Sequence, residues 1–188
     1  MTMALLYVFN MVTLDGYFEG PNRDISWHTV DEEFNEFAIQ QLDKTGLLMF
    51  GRVTYELMAG YWPTSAAVND DPIVAEKMNS IRKIVFSKTL GSASWNNTSL
   101  IKENVQHEIV NLKQQTEKEI GILGSSSLAA YLMSTRLIDE YRFMISPVIL
   151  GKGKTVYSGA RESLHLKLVT SKTFRGGNVL LSYQLEKK

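Results

Sequence analysis

Residues 120–128 read IGILGSSSL. A short apolar run stops at Gly124, three serines come next, and an apolar helical pattern resumes at Leu128. Such a passage takes a chain out of a buried strand into a helix whose first backbone N–H groups have no intrahelical acceptor. The G-x-G-x-x-G spacing of a dinucleotide fingerprint is missing here. What so open a helix start holds depends on what the rest of the chain brings beside it.

Other short apolar runs occur at 4–12, at 47–50 (LLMF) and at 83–86 (KIVF). They are too short and too uniformly apolar for half-exposed strands, which predicts a parallel sheet covered on both faces. Helical patterns separate them. Thr29 and Glu32 have capping-box spacing, ahead of a face made by Val30, Phe34, Phe37, Ala38, Gln41 and Leu42. A second helix is predicted over 53–59. A third starts with Asp71 as cap and Pro72 in the first helical position. A fourth uses Val105, Ile109 and Leu112, and a fifth begins after the serines with Leu128 and Leu132. Beyond residue 138 the pattern changes. Residues 138–149 read as one long mixed strand. Leu164, Leu166 and Leu168, then Val179, Leu181, Tyr183 and Leu185, alternate with other residues on either side of an FRGGN turn, which predicts an antiparallel hairpin. The pattern predicts one α/β domain over 1–188, with a mostly parallel central sheet and a C-terminal antiparallel hairpin.

Composition narrows the function. The 188 residues are 44% hydrophobic, enough for a sizeable core, and twenty basic residues balance twenty acidic ones. A neutral chain without a basic run has no electrostatic footprint for nucleic acid. There is no cysteine, which excludes disulfides, thiolate metal sites and cysteine nucleophiles. His28, His107 and His165 lie far apart with no metal-ligand spacing, so no metal is expected. The apolar start MALLYVFNMVTL lacks a positive n-region and falls short of the ~20 residues a membrane span needs. It reads as a buried first strand, and the expectation is a soluble, cytoplasmic protein without a membrane partner.

The functional signal lies just past the ends of the short strands. After LLMF comes GRVTYE, after KIVF comes SKTL, and after IGIL comes GSSS. If these strands are parallel, all three junctions share the carboxyl rim, where open α/β sheets bind ligands. Each offers groups suited to an anion: Arg52; then Ser87, Lys88 and Thr89; then the backbone and hydroxyls of 124–127. Arg52 is out of place locally, because a cation at a helix N-terminus opposes the macrodipole by about 0.3–1 kcal/mol. A phosphate bound there reverses that sign and uses the guanidinium fork.

In that order, GRVTYELM, SKTL and ILGSSSL resemble the cofactor-binding segments of dihydrofolate reductases. LDGYF…NRDISW is similar to the segment that carries their mobile active-site loop. PVILGKGKTVY and LIDEYR look more like the reductase domain at the C-terminus of the riboflavin-biosynthesis deaminase/reductase and its stand-alone bacterial relatives. The resemblance covers essentially the whole chain. It implies a dihydrofolate reductase-like three-layer α/β/α fold, NADPH as cofactor, a small heterocyclic substrate and a homodimer. By the same resemblance Gly51, Arg52 and Thr54 meet the pyrophosphate and neighbouring ribose. Ser87, Lys88 and Thr89 take the adenosine 2′-phosphate, and Gly124, Ser125, Ser126 and Ser127 cradle the pyrophosphate at the helix start. The serines depart from the dihydrofolate reductase pattern, which carries further glycines there.

For the chemistry, the resemblance points to a carboxylate on the first helix with an aromatic one turn later. Asp31, Glu32 and Glu33 compete for that place. Glu32 points away from the apolar face and suits the capping box, whereas Glu33 flanks that face beside Phe37. Asp15, in TLDGY just past the first strand, is the other candidate, and it also suits an ordinary turn before Gly16. Trp27 resembles the tryptophan that orders the substrate pocket. Expected substrates are an aminopyrimidine of the riboflavin route, foremost 5-amino-6-(5-phosphoribosylamino)uracil, or a pterin. A non-catalytic NADPH-binding or sensing protein, and an FMN carrier on the same rim, are the competing readings.

Overall fold

The computed structural model describes residues 3–158 and 163–186. Its centre is the strand β1, Leu6–Thr13, in which all eight residues are buried. Residues alternate between two cores. Leu6 and Val8 pack into one cluster with Leu47, Met49, Ile84, Ile109, Leu128 and Leu132. Tyr7, Phe9 and Met11 face the other way, onto Met144, Phe174 and Leu180. A strand covered on both faces has no reason to alternate polar with apolar, which is why the run reads as continuous hydrophobe.

Around it lies an eight-stranded sheet. With β2 at Tyr17–Glu19 and β8 at Lys154–Thr155 forming a small separate ribbon, the large sheet uses the remaining strands. These are β3 (Thr45–Gly51), β4 (Arg82–Phe86), β5 (Thr98–Ile101), β6 (Glu119–Leu123), β7 (Glu140–Ser146), β9 (Leu166–Thr173) and β10 (Val179–Leu185). Their order is β5-β4-β3-β6-β1-β7-β10-β9. Every pair from β5 to β7 is parallel, and β10 runs antiparallel to both its neighbours.

The helices α1 (Glu32–Lys44), α2 (Arg52–Tyr61), α3 (Ser65–Asp70), α4 (Pro72–Ser80), α5 (Val105–Gln115) and α6 (Ser126–Met133) complete the layers. Leu42, Tyr55, Val74 and Met78 bring α1, α2 and α4 onto the face of Leu48, Phe50 and Val85. Ile109, Leu112, Leu128 and Leu132 bring α5 and α6 onto the opposite face. The three-layer α/β/α arrangement with a C-terminal antiparallel hairpin is the architecture expected.

Several local expectations change. Asp31, not Thr29, caps α1: its Oδ1 accepts from the Phe34 N–H at 2.8 Å, while the Thr29 carbonyl accepts from Asn178 Nδ2 at 2.9 Å. Glu32 is therefore the first helical residue rather than the acid of a capping box. The long strand of 138–149 is shorter, Glu140–Ser146, because Pro147 comes next. Asp71 and Pro72 start α4 as expected, with Asp71 Oδ1 accepting from Val74 N at 3.0 Å. The helix α3, capped by Thr64, and the strands β2, β5 and β8 were not expected.

Candidate functional site

The parallel register brings the three strand ends side by side. Gly51 pairs with Phe86, the last residue of β4, and Met49 with Ile122 near the end of β6. Ser87, Arg52 and Gly124 therefore come directly after neighbouring strands β4, β3 and β6. The junctions are also bonded to one another. The Gly51 N–H donates to Ser125 Oγ at 3.0 Å, and the Ser125 N–H donates to Thr54 Oγ1 at 3.1 Å. A side chain on Gly51 would meet Leu128 Cβ at 3.8 Å, so the starts of α2 and α6 stand close together.

The start of α6 explains its serines. Gly124 has φ 63° and Ser125 φ 55°, ψ 52°, two left-handed residues in succession. For Ser125 that conformation is strained, by roughly 1–3 kcal/mol, and such strain concentrates at ligand-binding turns. Its hydroxyl caps nothing on its own helix, because it is engaged by Gly51. Gly51, at the N-cap of α2, offers no side-chain cap either. Two helix N-termini thus face the rim without an internal capping side chain, the arrangement that suits phosphate. Ser126 is buried and Ser127 exposed.

The expected anion-binding side chains are placed differently from one another. Lys88 is exposed on the rim and, among the described residues, forms no ion pair. Its turn is fixed by Ser87 Oγ, which accepts from the N–H groups of Thr89 at 3.2 Å and Leu90 at 3.0 Å. Arg52 begins α2 but folds down its own helix, Nη1 reaching both carboxylate oxygens of Glu56 at 3.0 Å. Residues four apart on a helix meet this way.

Next to β6 on the rim is β1, and here the chain leaves in opposite directions. From β1 it passes to α1 on one face and returns at β3; from β6 it passes to α6 on the other face and returns at β7. Such a topological switch point opens a crevice between the two strands. Their pairing ends at Phe9–Leu123, with the Gly124 N–H donating to Phe9 O at 2.9 Å. The Phe18 ring of β2 lies against Gly124: its Cζ would stand 3.4 Å from a side chain there.

On the α1 face of this crevice sits an aromatic cluster. Phe37 is at its centre, 5.7 Å from Phe9, 6.3 Å from Phe34 and 5.8 Å from Phe174 between ring centroids. Trp27 packs partly buried against the same core, its Nε1 donating to Asp24 O at 3.2 Å. His28 meets the Trp27 ring edge-on at 4.4 Å, and burial pushes its imidazole down to about 4. Thr13 and Ser146, paired across β1 and β7, and Asn178, just before β10, are buried polar residues beside this cluster. Among the described residues Ser146 Oγ and Asn178 Oδ1 have no hydrogen-bond partner.

Of the two candidate carboxylates, only Asp15 reaches the rim. It accepts from Thr13 Oγ1 at 2.6 Å and from the N–H groups of Gly151 at 2.8 Å and Leu150 at 3.2 Å. The Thr13 hydroxyl first, then these backbone donors, hold its carboxyl below the ordinary value. Glu33 turns to the hairpin instead. Its Oε2 accepts from the Arg175 N–H at 2.8 Å, and Lys172 and Arg175 lie beside it at 3.4 and 3.8 Å. The Arg175 N–H is the main cause of its lowered pKa. Both groups are ionised at neutral pH, which suits accepting a hydrogen bond and not donating a proton.

Sequence reasoning missed Asn10, whose signal was visible: one amide inside an otherwise apolar buried strand. It also missed Phe18, Ser146 and Asn178, which become neighbours of the site only through the pairing of distant strands. Among the described residues no group of three or more His, Asp or Glu is placed to hold a metal, and no helix is long and apolar enough to cross a membrane.

The model of the RibD C-terminal domain family matches residues 4–180. An uncharacterized protein of Bacillus subtilis, YyaP, is 32% identical over 174 residues, 92% of this chain and 90% of its own length. A putative riboflavin biosynthesis protein from Shewanella sp. PV-4 superposes with a TM-score of 0.75 at 19% identity, covering 97% of this chain and 99% of that one. A deaminase/5-amino-6-(5-phosphoribosylamino)uracil reductase from Thermotoga maritima gives 0.67 at 16% identity, covering 97% of this chain but 57% of its own. Dihydrofolate reductase from Enterococcus faecalis, in complex with NADP(H), gives 0.63 at 13% identity, covering 97% of each chain. On the whole-chain family match and this shared architecture, the chain belongs to the RibD C-terminal domain family.

Proposed function

We propose that this chain is an NADPH-dependent reductase of a small flat heterocycle, built as one reductase-type domain. The observation that carries the reading is the joined rim, where Gly51, Thr54 and Ser125 are hydrogen-bonded to one another beside Lys88. The residues fit the cofactor: two uncapped helix starts, a Lys88 without an ion pair among the described residues and a left-handed Gly124–Ser125 turn suit a phosphorylated chain. Gly51, Arg52, Thr54 and residues 124–127 hold the pyrophosphate, and Ser87, Lys88 and Thr89 hold the 2′-phosphate. NADPH, when bound, supplies the hydride.

The protein then has to orient a ring and exclude water. Phe37, Trp27 and their aromatic neighbours offer an apolar aromatic wall on the α1 face of the crevice. Asp15, ionised on the rim, suits accepting a substrate N–H. Glu33 fixes the hairpin turn against α1 and so shapes the pocket from behind. The substrate we favour is 5-amino-6-(5-phosphoribosylamino)uracil, the compound named for the Thermotoga neighbour, with a dihydropterin as second choice. We place the protein in the cytoplasm as a homodimer, using β9, an edge strand with Leu168 and Val169 half exposed, as its contact.

The commitment of both carboxylates to backbone donors favours one competing reading, a protein that binds NADPH without turning it over. Following nicotinamide absorbance with the aminopyrimidine and with dihydropterin separates the two. Loss of absorbance with either supports the reductase. Binding without loss supports the sensor, and no binding removes both.

A further inference from the structure

Asn10 is the least explained polar group in the fold. It is 1% exposed, and among the described residues neither Oδ1 nor Nδ2 has a hydrogen-bond partner. An unpaired buried amide is costly, because its donor and acceptor give up water and gain no partner in return. Its neighbours on the same strand face, Leu6 and Val8, are pure core. An apolar residue at position 10 would remove that cost, so the amide calls for a ligand.

Its place in the topology says which. Asn10 is the first residue of β1 beyond the last pair with β6, Phe9–Leu123. It therefore stands at the start of the crevice opened by the switch point. Strand alternation sends its side chain to the face of α6, whose uncapped first turn begins at Ser126. Gly124, which donates to Phe9 O, is the hinge between the two. A dinucleotide gripped by its pyrophosphate at α6 has one end left to place in this crevice, and that end carries a primary amide. Two primary amides pair reciprocally, N–H to O=C in both directions, and of the twenty side chains only Asn and Gln offer both groups in one plane.

Resting on the reductase reading above, we infer that Asn10 is a positioning residue that reads the carboxamide of the nicotinamide and sets how that ring sits in the crevice between β1 and β6. The Phe18 ring lies against Gly124 at the start of this crevice. Two further hydroxyls with no hydrogen-bond partner among the described residues, of Tyr141 and Tyr157, lie on the same face around Phe143, the cross-strand partner of Asn10. They make a buried water the alternative occupant, and the experiment is chosen to separate it.

NADPH and 2′-phospho-ADP-ribose, which is the same molecule without nicotinamide, are titrated calorimetrically into the wild type and Asn10→Ala. The inference expects NADPH to weaken about ten-fold in Asn10→Ala while 2′-phospho-ADP-ribose is unchanged. The wild type should also bind the 3-acetylpyridine analogue of NADPH several-fold more weakly, because a methyl replaces the amide donor; this arm needs no variant to fold. Equal weakening of both ligands, or of neither, overturns the inference and assigns Asn10 to internal packing or water. Binding of neither ligand by the wild type overturns the reductase reading itself.

Discussion

The Gly51 N–H and Ser125 Oγ, 74 residues apart in sequence, are hydrogen-bonded at 3.0 Å and tie the end of β3 to the start of α6. This bond makes one surface of two strand ends. Ser125→Ala removes it and leaves the left-handed turn without its anchor. We expect a loss of about 1 kcal/mol in stability and a larger, several-fold loss in NADPH affinity. Urea unfolding and a fluorescence titration read the two separately; unchanged affinity would detach Ser125 from the cofactor site.

Arg52 is held by Glu56 in the free protein, and a phosphate has to compete for it. An exposed pair of this kind contributes little, about 0.3–0.5 kcal/mol. Glu56→Gln should therefore raise NADPH affinity about two-fold at low salt, and Arg52→Ala should lower it. If Glu56→Gln weakens binding, Arg52 acts from its present position and not by swinging to the phosphate.

Lys88 is exposed on the rim and forms no ion pair among the described residues. Lys88→Ala is predicted to cost NADPH about ten-fold in affinity while leaving NADH nearly unchanged, since only the 2′-phosphate is lost as a partner. A parallel loss for both cofactors would move Lys88 from the 2′-phosphate to the shared pyrophosphate.

The position of the α1 cap is open to a stability measurement. Asp31→Ala should destabilise by about 0.5–2 kcal/mol, because Phe34 N–H loses its acceptor. Thr29→Val should do much less, as it keeps the carbonyl used by Asn178. The reverse order of denaturation midpoints would restore Thr29 as the cap.

His28 gives the fold an acid limb. Its imidazole is held down to about 4 by burial, against an ordinary 6.5. The folded state thus binds fewer protons than the unfolded chain between those values. Its contribution is complete above pH 6.5 and is lost as pH falls toward 4, by roughly 2–3 kcal/mol. His28→Asn should flatten the fall in unfolding free energy between pH 6.5 and 4.5 relative to wild type. Identical slopes for the two proteins would contradict the buried, neutral imidazole.

Much of this was legible because local chemistry and tertiary context agree. LLMF, KIVF and IGIL are buried on both faces, so their apolar runs are a direct sign of central strands, and Asp71–Pro72 starts its helix by purely local bonds. Thr29 was misread as a cap because two cap formers stand two residues apart. Only the hairpin, by taking the Thr29 carbonyl, decides for Asp31. β5 reads TSLI, too short and mixed to show a period, and exists by pairing with β4. In the site, the order of the three strand ends was readable and the rotamers were not. Glu33 turns to Arg175, a partner 142 residues away that no local pattern shows, whereas the Arg52–Glu56 pair is a local four-residue spacing that the reading of Arg52 passed over.

Whether three separated segments act as one phosphate-binding rim is tested most directly by mapping backbone amide shifts by NMR as NADPH is added. The amides of Gly51, Arg52, Lys88, Ser126 and Ser127 are predicted to move together along one saturation curve. The open depression at the opposite end of the sheet, around Arg82, Trp95 and Asn97, should stay still. Shifts confined to that depression, or to one of the three segments alone, would contradict a shared rim.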